Sequence, residues 1–241
     1  MNLWFLLAIL RKRNDLADVA WGLGFVIIAL ISLILKNFTI RQAVVFILVL
    51  IWGLRLSIYI FLRNKNKKED FRYKNWREQW GKNWFWQTYF QIFILQGFFL
   101  FIISLPISFL GIFQDKQSLN LLDFLGIFIW LIGFLFETIA DYQLSVFKSD
   151  QKNNGKIMKS GLWKYSRHPN YFGEVILWWG IFLISLNTEN GFLSIFGPIT
   201  ISFLILKVSG IPLLEKKYQG NKEFQEYKRK TSAFFPLPPK K

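Results

Sequence analysis

Long apolar runs, separated by short polar and basic stretches, dominate this chain. They fall at about 2–10, 17–35, 40–62, 84–110, 121–147, 171–187 and 191–214. A helix needs roughly 20 apolar residues to cross about 30 Å of hydrocarbon, and all runs but the first approach or exceed that. The first, within "MNLWFLLAIL", reaches only about 15 Å at 1.5 Å per residue, too short to span. It also lacks the basic start and small-residue cleavage site of a signal peptide. The pattern predicts an all-α polytopic membrane protein with six to seven transmembrane helices. With no internal repeat, linker or second domain in view, residues 1–241 read as one integral membrane domain.

Charge placement orients the prediction. Basic residues cluster in alternate connections: Arg11, Lys12 and Arg13; eight in 63–83; six in 148–168; eight from Lys216 onward. The intervening connections hold only Lys36, Arg41 and Lys116, so 25 of the 30 basic residues fall on one side. The positive-inside rule then puts the N-terminus outside and the C-terminus in the cytoplasm. The net charge of +15 is therefore first a matter of topology, with attraction for membrane lipid or an anionic cofactor second, and it does not indicate nucleic acid. The chain has no cysteine and one histidine, which excludes disulfides, thiolate sites and a histidine-rich metal site. No Walker loop, Ser/His hydrolase signature or dinucleotide glycine motif is present.

Ionisable residues inside apolar runs are expensive and mark candidate function. Asp18 opens the second run. Arg55 and Tyr59 share a helix face four residues apart, as do Glu137 and Asp141. Lys207 and Glu215 lie in the last run and at its end. Some can be interfacial or paired across helices; a polar cavity open to the cytoplasm explains the set together. The stretch "GLWKYSRHPNYFGEVILWWG" adds a helix start. Pro169 suits the first helical position, where free N–H groups and the positive dipole end favour an anion. Arg167 and nearby lysines add positive charge, Asn170 offers both donor and acceptor, and His168 is read as a capping or tautomer-locked structural group of that turn rather than a catalytic base. Segment 63–83 reads as a solvated cytoplasmic loop, or as one in which Arg72, Tyr73 and Arg77 fold back over the site. The tail from Lys216 reads as an amphipathic helix with Tyr218, Phe224 and Tyr227 toward lipid or protein.

These segments carry a resemblance. "FETIADYQLSVFK", "GLWKYSRHPNYFGEVILWWG", "VSGIPLLEKKY", "DVAWGLGFV", "WGLRLSIYIFLRNK" and "EDFRY" together resemble a bacterial membrane family of unknown function that belongs with the steroid 5α-reductases. The resemblance implies an integral protein of the bacterial inner membrane, with a cofactor site facing the cytoplasm. It implies transfer of hydride from NADPH to the C=C bond of an apolar enone, a steroid-like, isoprenoid or lipid substrate. Asn170 and Glu174 then match the cofactor stretch, Asn170 toward the nicotinamide amide. Asp141 and Tyr142 match the pair holding the adenosine half, and Glu137 stands where steroid reductases tend to carry asparagine. Arg167, His168, Tyr165 and Lys207 complete the cofactor-binding set, although steroid reductases have arginine and histidine in the last helix. Tyr59 and Asp18 match the pair that meets the substrate carbonyl, and no metal is implied. The shorter "RHPxYxG" pattern is shared with isoprenylcysteine carboxyl methyltransferases. It keeps open an S-adenosylmethionine-dependent membrane methyltransferase in which the Arg167 turn holds the methionine carboxylate.

Overall fold

The computed structural model of the protein describes residues 1–35, 38–65, 67–113 and 118–240. Lys36 and Lys116, counted above on the basic-poor side, lie outside the described residues. Among the described residues the chain forms α1 (Asn2–Arg11), α2 (Leu16–Ile34), α3 (Ile40–Asn64) and α4 (Phe71–Ile103). There follow α5 (Leu105–Ile112), α6 (Leu121–Ser149), α7 (Pro169–Ser185), α8 (Gly191–Lys216) and α9 (Lys222–Lys230). The protein is an all-α polytopic membrane protein. α2, α3, α4, α6 and α8 are each long and apolar enough to cross a membrane. α7, with 17 residues, lies at the lower limit of a span, and α1, with 10 residues, falls below it.

Local chemistry sets several boundaries. Thr39 and Gln42 close a reciprocal capping box at the start of α3, and Asn120 and Asp123 do so at α6. Pro169 occupies the first turn of α7, where its missing N–H removes no helical bond. The run at 84–110 is divided at Ser104, after which Pro106 opens α5. Segment 63–83 is not simply a solvated loop. Asp70 caps the N–H of Arg72, and a helix starts at Phe71.

The residues fall into two compact units, 1–119 with 187–196, and 120–186 with 197–241. In the first, α2 and α3 touch backbone to backbone. A Cβ on Gly22 would lie 2.5 Å from the Gly53 carbonyl oxygen. Buried polar side chains reinforce this packing: Ser57 Oγ donates to Val19 O at 2.9 Å, Ser32 Oγ to Ile107 O at 2.8 Å, and Gln42 Nε2 to Leu110 O at 2.7 Å. In lipid, where apolar burial between helices gains little, such close contacts and hydrogen bonds carry association.

In the second unit α6 and α7 run antiparallel with paired glycines at seven-residue spacing. A Cβ on Gly126 would lie 2.6 Å from Gly180 O, and one on Gly133 would lie 2.5 Å from Gly173 O. Added side chains would push the helices apart. The two glycine pairs fix the register, and farther along it, about two turns past Gly133 on α6 and one turn before Gly173 on α7, Asp141 faces Asn170. In α9, Phe224 and Tyr227 are buried, so these aromatic residues pack into the protein.

Candidate functional site

The start of α7 organises the second unit. The Arg167 side chain donates from Nε to Glu215 Oε1 at 2.8 Å, and its Nη2 lies 2.8 Å from the same oxygen. Its Nη1 donates to the carbonyls of Lys228 and Thr231, at 3.2 and 2.5 Å. Those carbonyls belong to the last turn of α9 and the residue that caps it, where unsatisfied acceptors and the negative dipole end favour a cation. Glu215 also lies 3.3 Å from His168 Nε2 and 3.0 Å from Lys228 Nζ. Because a carboxylate only accepts, the neutral imidazole carries its proton on Nε2. Burial holds His168 below the usual histidine pKa; the Glu215 carboxylate opposes that shift, and the Arg167 charge adds to it. The C-terminal segment locks onto the same turn: Arg167 N donates to Ser232 O at 2.8 Å, and Ser166 Oγ to Phe234 O at 2.8 Å. Tyr227 donates its hydroxyl to the carbonyl of Trp163, and burial raises its pKa. The anion that meets Arg167 and His168 is thus the chain's own carboxylate, from a residue 48 positions away.

Three residues on, the arrangement is different. Asn170 Nδ2 donates to Asp141 Oδ1 at 3.1 Å. The amide nitrogen therefore faces Asp141 and the amide oxygen faces away from it. That oxygen, Asn170 Oδ1, is buried and has no hydrogen-bond partner. Such an acceptor costs about 1–3 kcal/mol while unpaired. Glu137, also buried, stands one turn before Asp141 on α6, and the backbone N–H of Glu137 lies against Gly173 at the close glycine contact. Thr138 Oγ1 is a second buried atom here without a partner. Tyr142 is 69% exposed and Tyr165 41% exposed. Glu174 lies on α7 one turn after Asn170, half-buried. Lys207 is exposed within the π-helical stretch Leu204–Val208 of α8.

The substrate-side candidates belong to the first unit. Asp18, in the first turn of α2, accepts from the Tyr73 hydroxyl at 2.5 Å and from Arg72 Nη2 at 2.9 Å. Arg72 also holds Asp70, through Nε at 3.0 Å. Burial alone would raise the Asp70 pKa, but the hydrogen bonds and charge of Arg72 outweigh it and lower that pKa. Tyr73 is 3% exposed; Gln96 Nε2 approaches its oxygen at 3.4 Å, and Gln96 Oε1 is buried without a partner. Tyr59 is half-buried on α3, with the Arg63 guanidinium 5.7 Å from its ring centroid. The tyrosine that holds Asp18 is therefore Tyr73. The signal for it lay in the aromatic spacing of Tyr73, Trp76 and Trp80, which marks one face of the helix that begins after the Asp70 cap. Glu215 was legible as an in-span charge, but its service to Arg167, His168 and Lys228 was not. Among the described residues, no group of three or more His, Cys, Asp or Glu side chains could hold a metal ion.

Comparison with known proteins follows the same outline. The bovine protein named 3-oxo-5-alpha-steroid 4-dehydrogenase 1 is 34% identical over 71 residues, 30% of this chain and 28% of the bovine one. The rat protein of the same name is 24% identical over 112 residues, 46% of this chain and 40% of its own. An uncharacterized protein of Schizosaccharomyces pombe is 23% identical over 212 residues, 77% of this chain and 60% of its own. The matches thus span from about a quarter to three fifths of these relatives' lengths. No solved structure matches. The family described as "Protein of unknown function (DUF1295)" matches residues 4–231. The chain belongs to that family, whose distant similarity to the steroid 5α-reductases marks it as membrane reductase-like.

Proposed function

We propose that the protein is an oxidoreductase that transfers hydride from NADPH to the C=C bond of an apolar enone. Family membership and similarity to proteins named for a 3-oxo-5-alpha-steroid support the reading. The observation that carries it is the amide of Asn170, oriented by Asp141, with its oxygen buried and unpaired. A primary carboxamide presents the N–H donors such an acceptor lacks, and the nicotinamide amide is a ligand of that kind. Asn170 would hold the amide, and Asp141 would fix the Asn170 orientation. Tyr142, Tyr165, Glu137, Glu174 and Lys207 would meet the rest of the cofactor. Arg167 and His168 would hold the turn that presents Asn170.

NADPH supplies the hydride when bound. The protein's own work is to orient the reactants, exclude water and stabilise the charge that develops on the enone oxygen. Tyr59 is the proposed hydroxyl donor to that oxygen. Asp18, held by Tyr73 and Arg72, would set the local charge rather than move a proton to Tyr59. The substrate is an apolar molecule drawn from the lipid phase. The reading places the protein in a bacterial cell membrane, with the cofactor entering from the cytoplasm, the side favoured by the basic connections.

The test is cofactor binding by the purified protein in detergent, followed by nicotinamide fluorescence. Wild type should bind NADPH, and Asn170→Ala should weaken binding by about tenfold or more, the loss expected of one buried hydrogen bond. Tyr59→Phe should leave that affinity unchanged and lower enone turnover. Binding of S-adenosylmethionine without NADPH would overturn the proposal in favour of methyl transfer. The geometry at Arg167 does not favour that outcome, because Glu215 already holds the arginine that a methionine carboxylate would need.

A further inference from the structure

A second polar feature of this unit stands apart from Asn170. A cleft of about 250 Å³ is lined by Lys159, Lys164, Glu226, Tyr227, Lys230, Thr231 and Pro239. It is built from three segments: the connection between α6 and α7, the end of α9, and the tail that returns past both. Backbone hydrogen bonds fix that enclosure. Leu237 N donates to Tyr165 O at 3.0 Å, and Lys240 N donates to Lys230 O at 2.8 Å, closing the tail back onto the end of α9. The cleft is thus held by main-chain bonds rather than by flexible side chains alone.

Its charge is balanced only in part from within. Lys159 pairs with Glu223 at 2.6 Å and Lys230 with Glu226 at 3.3 Å. The contact recorded for Lys164 is the Tyr165 ring, 5.9 Å from Nζ to the centroid. Glu223 and Glu226 thus answer two of the three ammonium groups that line the space, and the third, on Lys164, is the excess positive charge beside a buried threonine. The same tail exposes Phe235 (60%) and Leu237 (55%). Apolar side chains presented beside ammonium groups, in a connection that begins where the span α6 ends, have the composition of a contact at the membrane interface.

We infer that this cleft binds the phosphate head group of an anionic membrane phospholipid, with Phe235 and Leu237 against its acyl region. A phosphate oxygen set accepts from several ammonium groups at once. The neighbouring apolar side chains distinguish a lipid from a soluble phosphate, which would use the cleft alone. The inference does not depend on the reductase reading, since no residue proposed to meet the substrate carbonyl lines the cleft.

The test uses the full chain, delipidated in a neutral detergent, with phosphatidylglycerol or phosphatidylcholine titrated in and retention read by native mass spectrometry. Phosphatidylglycerol should be preferred, and Lys164→Gln with Lys230→Gln should reduce that preference about tenfold. Removing equal charge elsewhere, through Lys74→Gln with Lys82→Gln, should leave it unchanged. Phe235→Ser with Leu237→Ser should weaken lipid retention with every charge intact. Thermal unfolding of each variant checks that the fold survives. Equal binding of the two lipids, or equal loss in the control variant, would overturn the inference. Displacement of lipid by micromolar glycerol 3-phosphate would assign the cleft to a soluble phosphate, and displacement by micromolar NADPH would assign it to the cofactor; either result overturns the lipid assignment.

Discussion

Arg167 and Asn170 stand three residues apart at the start of one helix, yet their polar groups are used in different ways. The Arg167 guanidinium meets one carboxylate and two backbone carbonyls, all from the chain itself. The Asn170 amide is half used, with its nitrogen on Asp141 and its oxygen buried alone. A saturated network has its hydrogen-bonding capacity committed to architecture. An unsaturated one has a cost that a ligand can offset, which is why a buried polar atom without a partner calls for explanation. The Asp18 carboxylate resembles the first case, with Tyr73 and Arg72 converging on it, while the neighbouring Gln96 amide, its nitrogen near Tyr73 and its oxygen buried alone, resembles the second. On this contrast, charge at the RHPN turn indicates the hinge of the fold, and the adjacent neutral asparagine indicates the ligand.

The contrast predicts a separation of stability from binding. Arg167→Ala has the largest expected effect, because it leaves Glu215 and the end of α9 without their shared cation. Removing one partner of a buried pair typically costs about 3–5 kcal/mol. The expected result is a sharp fall in thermal stability in detergent, together with poor yield. Arg167→Lys keeps the charge but loses the planar fork that reaches carboxylate and carbonyls together, so its rescue should be partial. Asn170→Ala should lower stability by no more than about 1 kcal/mol, the scale of one net hydrogen bond, while acting on cofactor affinity. If the two alanine variants melt alike, the division between a structural and a ligand-facing set is wrong.

Gly173→Ala comes next. The new methyl group would run into the carbonyl of Gly133 and the backbone of Glu137, and overpacking of this kind costs about 1–3 kcal/mol. The informative readout is binding rather than melting. Separating α6 from α7 moves Asp141 away from Asn170, so affinity for NADPH should fall although neither residue has been changed. Gly220→Ala, where an added Cβ meets nothing within 4 Å, should leave both measurements as they were. Unaltered affinity in Gly173→Ala would mean that the glycine register does not position the site.

What could be read in the chain before its structure follows from the range of the forces. Hydropathy and helix-start chemistry act within a few residues, so the spans and the helix start at Pro169 left plain local patterns. The placing of Glu137 and Asp141 on one face was legible for the same reason, whereas the contact of Asn170 with Asp141, 29 residues away, was not. Arg167 and Glu215 are 48 residues apart, and Asp18 and Tyr73 are 55 apart. No periodicity records which distant partner a charge will choose, so Arg167 read as a ligand group, and Tyr73 as part of a loop that is either solvated or folded back over the site, with no link to Asp18. The glycines at 126, 133, 173 and 180 repeat at seven residues within each helix. That spacing is visible in the sequence, but its meaning depends on knowing that the two helices pair.

The smallest effect concerns His168, which lies on the saturated side of the comparison. Burial lowers its pKa, so the folded chain resists its protonation more than the unfolded chain does. The unfolded imidazole takes up its proton near pH 6.5, and below that pH the unfolded state gains protons first. The contribution to stability is therefore complete above about pH 6.5 and is lost as pH falls through the lowered folded value. Melting in detergent should be flat across the neutral range and decline on the acid side, and His168→Gln should remove part of that decline. The hydrogen bond to Glu215 keeps the effect small by favouring the charged ring. The same scan separates the two sets of residues at this helix start. Asn170→Ala should leave the acid slope intact, because Asn170 does not touch Glu215. A slope that disappears in Asn170→Ala and persists in His168→Gln would show that the two sets are a single network.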